Sequence, residues 1–150
     1  MVYERISTSP DQTAAIGEAL ARDLRWGDVV LLTGQLGAGK TCLTRGIARG
    51  LGAASDVSSP TFTTLHVHDV PAERDRIFCH YDVYRLNDAD DFWNQGLDEY
   101  IFDGSISVIE WGDRVRDALP DEVIEVSLTY GDRPNERVLT VHAPDGRHFF

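Results

Sequence analysis

The chain has 150 residues, a length that predicts one domain over residues 1–150 with a single sizeable core. Its 14 Lys and Arg against 25 Asp and Glu give a net charge of −11, which argues against independent binding of DNA, RNA or an anionic membrane. No apolar run is long enough to span a bilayer and the first residues lack the apolar segment of a signal peptide, so we expect a cytoplasmic protein.

The N-terminal part predicts a short strand followed by an amphipathic helix. Residues 1–8 favour the strand, and Ser9, Pro10 and Gln12 then show the pattern of a helix start, with a capping hydroxyl, a first-turn proline and a glutamine three residues after the cap. Gly27 is the expected helix end. The apolar residues of the predicted buried stripe recur four apart and are Ile16, Leu20 and Leu24.

A glycine-rich turn follows the next predicted strand. Residues 29–32 are apolar without alternation, as in a strand covered on both faces in a parallel sheet. Residues 34–41 then fit the phosphate-binding P-loop motif G-x-x-x-x-G-K-[ST] between a strand and a helix. In such a loop, backbone N–H groups face a polyphosphate, Lys40 reaches the β- and γ-phosphates, and Thr41 is placed to bind Mg²⁺. An ordinary glycine-rich turn is the alternative, and the flanking elements favour a nucleotide site.

The helix after the loop is marked by apolar residues at helical spacing and by a glycine stop at Gly52. Cys42 in this helix and Cys79 further along lack metal or redox spacing, so buried free thiols are expected. A capping role for Gln12 is at least as consistent as contact with a nucleotide base. The residues expected to bind the nucleotide cofactor are Gln12, Gln35, Leu36, Gly37, Ala38, Gly39, Lys40, Thr41 and Cys42.

A polar segment with one proline, residues 58–64, comes next. Its position after the P-loop helix is typical of a switch that senses the γ-phosphate, although a capped turn before a strand explains the same residues. His66 and His68 would then share one face of a strand. Because no third ligand is evident, solvent-facing histidines are favoured over a metal site.

Residues 76–82 predict a strand that ends in a carboxylate. His80, Asp82 and Tyr84 alternate onto one face, and Arg85 follows directly. A core would not tolerate these groups unpaired, so they line a site or form a paired network, and we favour the site.

Two short helices broken at Gly96 are expected over residues 87–101, with a solvated acidic face. Residues 106–111 then form an apolar strand that closes on Glu110, the pattern of a Walker B strand, whose carboxylate lies beside the P-loop Mg²⁺. Residues 113–119 predict one helical stretch.

The C-terminal part alternates apolar and polar residues on both sides of a turn at residues 131–135, which predicts an antiparallel hairpin with one buried face. The tail to Phe150 carries no signal. The expected fold class is α/β, with a P-loop NTPase-like central mixed sheet that is mainly parallel, flanked by helices, and a C-terminal antiparallel hairpin. The apolar positions expected on the buried face are Ile124, Val126, Leu128, Tyr130, Leu139 and Val141.

Binding and hydrolysis of a Mg²⁺-nucleotide is the chemistry that these motifs predict. ATP is the expected nucleotide, because the chain has no N-K-x-D motif to read guanine. Asp82 and Glu110 are both candidates for the Mg²⁺ shell, and either one is also placed to orient the attacking water.

Five motifs in this order closely resemble the TsaE (YjeE) family, bacterial ATPases required for the threonylcarbamoyladenosine modification of tRNA. The resemblance covers about residues 9–120 and implies an α/β P-loop fold and slow intrinsic Mg²⁺-dependent ATPase activity. It also implies a complex with TsaB and TsaD, in which TsaD transfers the threonylcarbamoyl group and ATP hydrolysis supports repeated turnover. The protein would then reach tRNA only through its partners. The motifs are residues 34–41, residues 59–63, residues 80–85, Gly96 with Leu97, and Glu110 with Trp111.

By matching position, the resemblance implies roles for individual residues. Lys40 and Thr41 would serve phosphate and Mg²⁺, and Thr61 would form the first switch. Asp82 and Glu110 would serve the metal and the water. Gln35 stands where the family commonly has Asp, and the hairpin after residue 120 matches no family motif. The residues expected to support the site or a subunit contact are His80, Tyr84, Arg85 and Trp111.

Two other functions compete with this one. A small-molecule P-loop kinase would transfer phosphate to an acceptor and usually has an arginine-rich lid, which is absent between Thr61 and Glu110. A nucleotide-gated binding module would use hydrolysis only to reset a partner contact, and the sequence does not separate it from the family's role.

Overall fold

The computed structural model describes residues 1–35, 37–53, 57 and 64–150. Leu36, Thr61 and most of the predicted switch segment therefore lie outside the described residues. The helices are α1 (Pro10–Asp23), α2 (Lys40–Leu51) and α3 (Ala89–Asn94), with 3₁₀ segments at Leu97–Tyr100 and Gly112–Ala118. The strands are β1 (Val2–Ser7), β2 (Val29–Gly34), β3 (Leu65–Asp69), β4 (Ile77–Asp82), β5 (Ser105–Glu110), β6 (Ile124–Tyr130) and β7 (Arg137–His142).

Seven strands of the described chain form one sheet in the order β1-β7-β6-β2-β5-β4-β3. The central strands β6, β2, β5 and β4 are parallel, whereas β1, β7 and β3 pair antiparallel at the edges. The predicted α/β fold class and the hairpin β6–β7 are confirmed. Because the central strands are parallel, the loop after β2 and the last residues of β4 and β5 meet at one edge of the sheet.

The two faces of the sheet are covered by different elements. In the described residues, one buried apolar cluster combines α1 and α2 with side chains of β2, β5 and the hairpin. A second cluster combines α3 and the 3₁₀ segments with the opposite face of β2, β4 and β5. All six residues of β5 are buried, as expected for a strand covered on both faces.

Glycines bring α1 and α2 into close contact. A Cβ atom added at Gly17 would lie 2.5 Å from the Leu43 carbonyl oxygen, and one at Gly46 would collide with the backbone of Ala14. The helices are therefore packed with no room for side chains at these positions, which fixes α2, and with it the P-loop, against the rest of the fold.

The start of α1 follows the prediction, but its end does not. Ser9 Oγ accepts from the Gln12 backbone N–H at 3.1 Å, so the cap is confirmed. The helix ends at Asp23, because Leu24 already has an extended conformation with ψ 149°. Gly27 lies in the following turn, where its N–H donates to the Ser105 carbonyl and joins the turn to β5.

The solvent-facing orientation expected for the histidines of β3 is wrong for His68. Its side chain is buried and packs on Phe78, with ring centroids 5.9 Å apart, while Val67 is exposed. In the antiparallel pairing of β3 with β4, His68 stands opposite Phe78 and shares its core-facing side. The pairing of β3 with β4 therefore decides which of the alternating side chains of β3 face the core.

Other local expectations are corrected as well. Tyr130 is exposed at the end of β6, although Ile124, Val126 and Leu128 on the same face are buried. The stretch after β5 is 3₁₀ rather than one regular helix, since Val115 has non-helical φ and ψ. None of the described helices has the length and apolar character needed to cross a membrane.

The C-terminal tail, which gave no sequence signal, is anchored to the core. Phe149 is buried in the cluster beneath α1 and α2. Arg147 donates to both carboxylate oxygens of Asp28, at 2.8 and 2.7 Å, and its pKa is raised, mainly by this hydrogen bond. The tail therefore closes the fold beside the start of β2.

Candidate functional site at the P-loop

The P-loop connects β2 to α2 with backbone conformations that favour glycine. Gly37 and Gly39 have φ of 80° and 104°. A Cβ atom at Gly34, the last residue of β2, would lie 2.8 Å from the carbonyl oxygen of its register partner Leu128 on β6, so no side chain fits where the loop begins. Gly39 is the N-cap of α2 and provides no side-chain cap for the first N–H groups of the helix, as is usual at helix N-termini that bind anions.

Lys40 lies between an acidic and an aromatic side chain. Its Nζ is 3.5 Å from Glu110 Oε1 and 5.5 Å from the centroid of the Trp111 ring. Register explains the meeting, because Leu32 near the end of β2 pairs with Glu110 at the end of β5. Because β2 continues for two more residues, to Gly34, the loop starts just past the position of Glu110 in the sheet.

Glu110 is held by a second partner, His80. His80 Nε2 lies 2.9 Å from Glu110 Oε2, and the imidazole is fully buried. Burial raises the pKa of Glu110, but the hydrogen bond from His80 and the Lys40 ammonium outweigh it and hold this pKa below its ordinary value. Glu110 is thus ionised at neutral pH, and because a carboxylate only accepts, His80 Nε2 carries the proton of this bond.

Asp82 reaches the same edge of the sheet with fewer contacts. It pairs in register with Glu110 across β4 and β5, so both side chains are on the same face. Its Oδ1 accepts from the Tyr84 backbone N–H at 3.0 Å, and the residue is only partly buried. The structure therefore joins Lys40 to Glu110 and places Asp82 beside Glu110 on the neighbouring strand.

The oxygen-bearing groups at this edge suit Mg²⁺. Within the described part of the chain, no group of three or more His, Cys, Asp and Glu side chains is arranged to hold a metal. Mg²⁺ usually keeps several waters and needs only one or two carboxylates besides phosphate oxygens. The chemistry of the predicted ligands Thr41, Asp82 and Glu110 is of that kind, and Asp82 and Glu110 lie on the same face of neighbouring strands.

An exposed aromatic cluster borders the site. Trp111 has a left-handed backbone, with φ 64° and ψ 25°, a costly conformation for a bulky residue. Its ring meets that of Tyr84 edge-on at 5.0 Å, and the Arg114 guanidinium lies 5.0 Å from the Tyr84 centroid and 5.7 Å from that of Trp111. Arg85 is exposed directly after Tyr84. Sequence reasoning missed Arg114, whose only signal is its place four residues after Glu110.

Pockets open on both sides of the loop. The lysine pocket, about 340 Å³, is lined by Leu32, Thr33, Gly34, Lys40, Trp111, Asp113 and Arg114. The cysteine pocket, about 300 Å³, is lined by Ser9, Pro10, Thr13, Gly37, Ala38, Gly39, Cys42, Asn135 and Arg137.

Gln12 takes the capping role that was one of its two predicted roles, whereas Cys42 is less buried than predicted. Gln12 Oε1 accepts from the backbone N–H and the hydroxyl of Thr8, both at 2.8 Å, so its side chain caps α1. Cys42 is a free thiol but only half-buried, whereas Cys79 is buried and its pKa is raised to about 12 by burial. Asn135 and Arg137 were missed, since no spacing in the sequence links the hairpin to the loop.

Comparison with known proteins agrees on one family. Residues 7–139 match the family model described as threonylcarbamoyl adenosine biosynthesis protein TsaE. The tRNA threonylcarbamoyladenosine biosynthesis protein TsaE of Treponema pallidum (strain Nichols) is 42% identical over 123 residues, covering 82% of this chain and 88% of that protein. The protein of the same name from Bacillus subtilis (strain 168) is 36% identical over 145 residues, covering 95% and 86%.

A solved structure shows the same fold. The crystal structure of YdiB from Bacillus subtilis superposes with a TM-score of 0.75 at 30% sequence identity, covering 95% of this chain and 86% of that chain. Motifs, fold and relatives over most of the length agree, and the chain belongs to the TsaE family of threonylcarbamoyl adenosine biosynthesis proteins.

Proposed function

We propose that the chain is a Mg²⁺-dependent ATPase whose hydrolysis supports threonylcarbamoyladenosine formation in tRNA, in a complex with TsaB and TsaD type subunits. The observation that carries this proposal is the contact of Lys40, the first residue of the P-loop helix, with the ionised Glu110 at the end of β5. A phosphate-binding cation and a metal-binding or water-orienting carboxylate are the pair that phosphoryl transfer to water requires.

A bound nucleotide would have to break the contact between Lys40 and Glu110. Phosphate oxygens compete with Glu110 Oε1 for the Lys40 ammonium, because both are anionic acceptors. Once Lys40 turns to phosphate, Oε1 is released for the metal shell or the attacking water. His80 keeps Oε2 in place during this exchange.

Thr41, Asp82 and Glu110 would hold Mg²⁺. When bound, the ion would neutralise charge on the β- and γ-phosphates. The remaining work belongs to the protein. Backbone N–H groups of the loop and of the first turn of α2 hold the phosphates, and Lys40 stabilises the charge that develops on the transferring phosphoryl group.

The aromatic cluster suits a subunit contact. Tyr84, Trp111 and the neighbouring Arg85 are exposed beside Lys40, so a partner covering them would also close the lysine pocket. Aromatic and Arg side chains are enriched at protein interfaces, and excluding water strengthens the electrostatic interactions inside a site. This arrangement supports slow hydrolysis by the isolated chain and faster hydrolysis in the complex.

Turnover assays test the proposal. Phosphate release from ATP is measured for the chain alone and with TsaB and TsaD, each with Mg²⁺ and with a chelator. We expect slow release with Mg²⁺, faster release in the complex, and none with the chelator. Absence of turnover in all four conditions would overturn the proposal. Turnover that requires a small-molecule acceptor would support a kinase, and ATP binding without turnover a binding module.

Chemical modification gives an independent test of the phosphate site. Lys40 is the only lysine of the chain, so an amine-directed reagent has one side-chain target besides the N-terminal amino group. We expect ATP to slow modification of Lys40 while the N-terminal amine reacts at an unchanged rate, as followed by peptide mass spectrometry. Equal rates for Lys40 with and without ATP would contradict phosphate binding at the loop.

A further inference from the structure

Arg114 is a second cation at the lysine pocket, which it lines together with Lys40. Within the described part of the chain it forms no ion pair with a carboxylate, and it lies outside the network of Lys40, Glu110 and His80. Its Nη1 donates to the Leu86 carbonyl at 3.4 Å, a long hydrogen bond. Most of the five N–H groups of this guanidinium are therefore open to a ligand.

The backbone that carries Arg114 is fixed by packing. β5 ends at Glu110, and the 3₁₀ segment Gly112–Ala118 follows it closely. A Cβ atom at Gly112 would lie 2.5 Å from Leu31 Cδ2 on β2, and Val115 is fully buried. The segment is thus packed in the core through residues before and after Arg114 in the sequence, so this side chain starts from a defined position at the pocket.

Two aromatic rings hold the guanidinium. It lies 5.0 Å from the centroid of the Tyr84 ring and 5.7 Å from that of Trp111. The Lys40 ammonium is 5.5 Å from the same Trp111 centroid. Because two cations repel each other, a site that gathers both around one indole ring is suited to an anionic ligand that contacts both.

The pocket has the charge and the size for the end of a triphosphate. Its charged lining side chains in the described chain are Lys40, Arg114 and one carboxylate, Asp113, so cations outnumber acids although the net charge is −11. A volume of about 340 Å³ has room for a phosphoryl group and water, since one water occupies about 30 Å³. Lys40 serves the β- and γ-phosphates in a P-loop, so a second cation in the same pocket is within reach of the γ-phosphoryl group.

From these contacts we propose that Arg114 is a catalytic residue whose guanidinium contacts the γ-phosphoryl group of ATP and stabilises the charge that develops there. The inference rests on the proposed function, because it needs ATP to be seated on the loop. Tyr84 and Trp111 are then positioning residues, which hold the guanidinium at the pocket. Its planar fork of N–H groups matches phosphoryl oxygens better than an ammonium does.

The reaction itself requires no proton from Arg114. A water oxygen bonds to the γ-phosphorus while the bridging oxygen leaves with ADP, and the released proton goes to solvent. The guanidinium stays charged throughout, so its contribution is electrostatic.

Single-turnover hydrolysis and ADP binding test this role. Radiolabelled ATP is mixed with an excess of the full chain in Mg²⁺, so the rate excludes product release. Calorimetric titration measures the affinity for ADP, which lacks the γ-phosphoryl group. Arg114→Gln should slow hydrolysis about 100-fold, the lower end of the cost of losing a preorganised donor, and leave ADP affinity within about twofold. Arg114→Lys, which keeps the charge without the planar fork, should give an intermediate rate.

Arg116→Gln is the matched control in the same segment. Arg116 donates to the Pro120 and Asp121 carbonyls at 2.7 and 3.0 Å, and it is not among the described residues that line the lysine pocket. Its loss disturbs the segment and leaves the pocket lining intact, so its hydrolysis rate and ADP affinity should match those of wild type. An equal fall in rate for Arg116→Gln and Arg114→Gln would overturn the proposal.

The outcomes separate this proposal from the proposed function. If wild type hydrolyses no ATP, alone or with TsaB and TsaD, the proposed function fails and the role of Arg114 fails with it. If wild type hydrolyses ATP, the variants are compared in the form that does so, and a fall in the Arg114→Gln rate that exceeds its loss of ADP affinity supports the role. An unchanged rate, or a fall no larger than that loss, overturns this role alone. Thermal melting checks folding, and should Arg114→Gln be unfolded, Arg114→Lys decides by the same comparison.

Discussion

The two sides of the P-loop differ in how their polar groups are satisfied. On the lysine side, Glu110 is buried and bound by both Lys40 and His80, so a charged network is complete before any ligand arrives. On the cysteine side, Asn135 and Arg137 are bound to backbone carbonyls and stand at an open pocket.

This difference predicts how substitutions on the two sides should behave. Charges in a buried network are expensive to leave unpaired, so changes on the lysine side should act on the reaction and on stability together. Polar groups at an open pocket interact with water, so changes on the cysteine side should cost little stability. Four further experiments test the lysine side of this contrast.

The largest effect is expected from Lys40→Ala. It removes the phosphate counter-charge, so kcat/KM for ATP should fall about 100- to 1,000-fold, comparable to the loss of a preorganised oxyanion donor. Steady-state phosphate release measures it, with Arg133→Met as the control that stays at the wild-type rate. Unchanged affinity and turnover in Lys40→Ala would refute the P-loop assignment.

Glu110→Gln should come next. It keeps the side-chain volume but removes the carboxylate that faces metal or water, so kcat should fall about 100-fold, as for a general base. ATP affinity should stay within a fewfold, because Lys40 is released from its acidic partner. Calorimetry and turnover on the same preparation separate the two quantities. A larger loss in affinity than in kcat would place Glu110 in binding rather than in chemistry.

A smaller loss is expected from Asp82→Asn. Asp82 is less buried than Glu110 and keeps its bond to the Tyr84 N–H as an amide oxygen. If Asp82 reaches Mg²⁺ through a bound water, kcat should fall about tenfold, the lower end of the cost of losing an outer-shell partner, with a higher Mg²⁺ requirement. Titrating Mg²⁺ at saturating ATP measures this. A loss in kcat as large as that of Glu110→Gln would contradict the smaller role given to Asp82.

The smallest effect concerns pH and folding. Because the folded state holds the pKa of Glu110 below its ordinary value, its ionised form stabilises the fold above about pH 4.3, the unfolded value for glutamate. That contribution is lost as pH falls through the folded pKa. Urea unfolding should therefore show wild type and Glu110→Gln converging in stability between pH 6 and the acid range. Glu18→Gln, in a surface pair with Arg49, should show little change at either pH.

Much of the fold could be predicted from local patterns. The Ser9 cap, the apolar β2, the Gly52 stop and the alternating hairpin each depend on neighbouring residues, so they follow from sequence. The orientation of His68 and the end of α1 could not be predicted in this way. Strand pairing decides the first, and the turn that joins Gly27 to Ser105 decides the second. Helix ends and edge strands depend on what covers them.

The P-loop motif, the strands that end in Asp82 and Glu110, and the likeness to TsaE can be recognised from spacings along the chain. The contacts of Glu110 with both His80 and Lys40, the bond from Arg147 to Asp28, and the place of Arg137 beside the loop are visible only in the folded chain. These partners are separated by many residues and meet because of sheet order and register. No local pattern records such contacts.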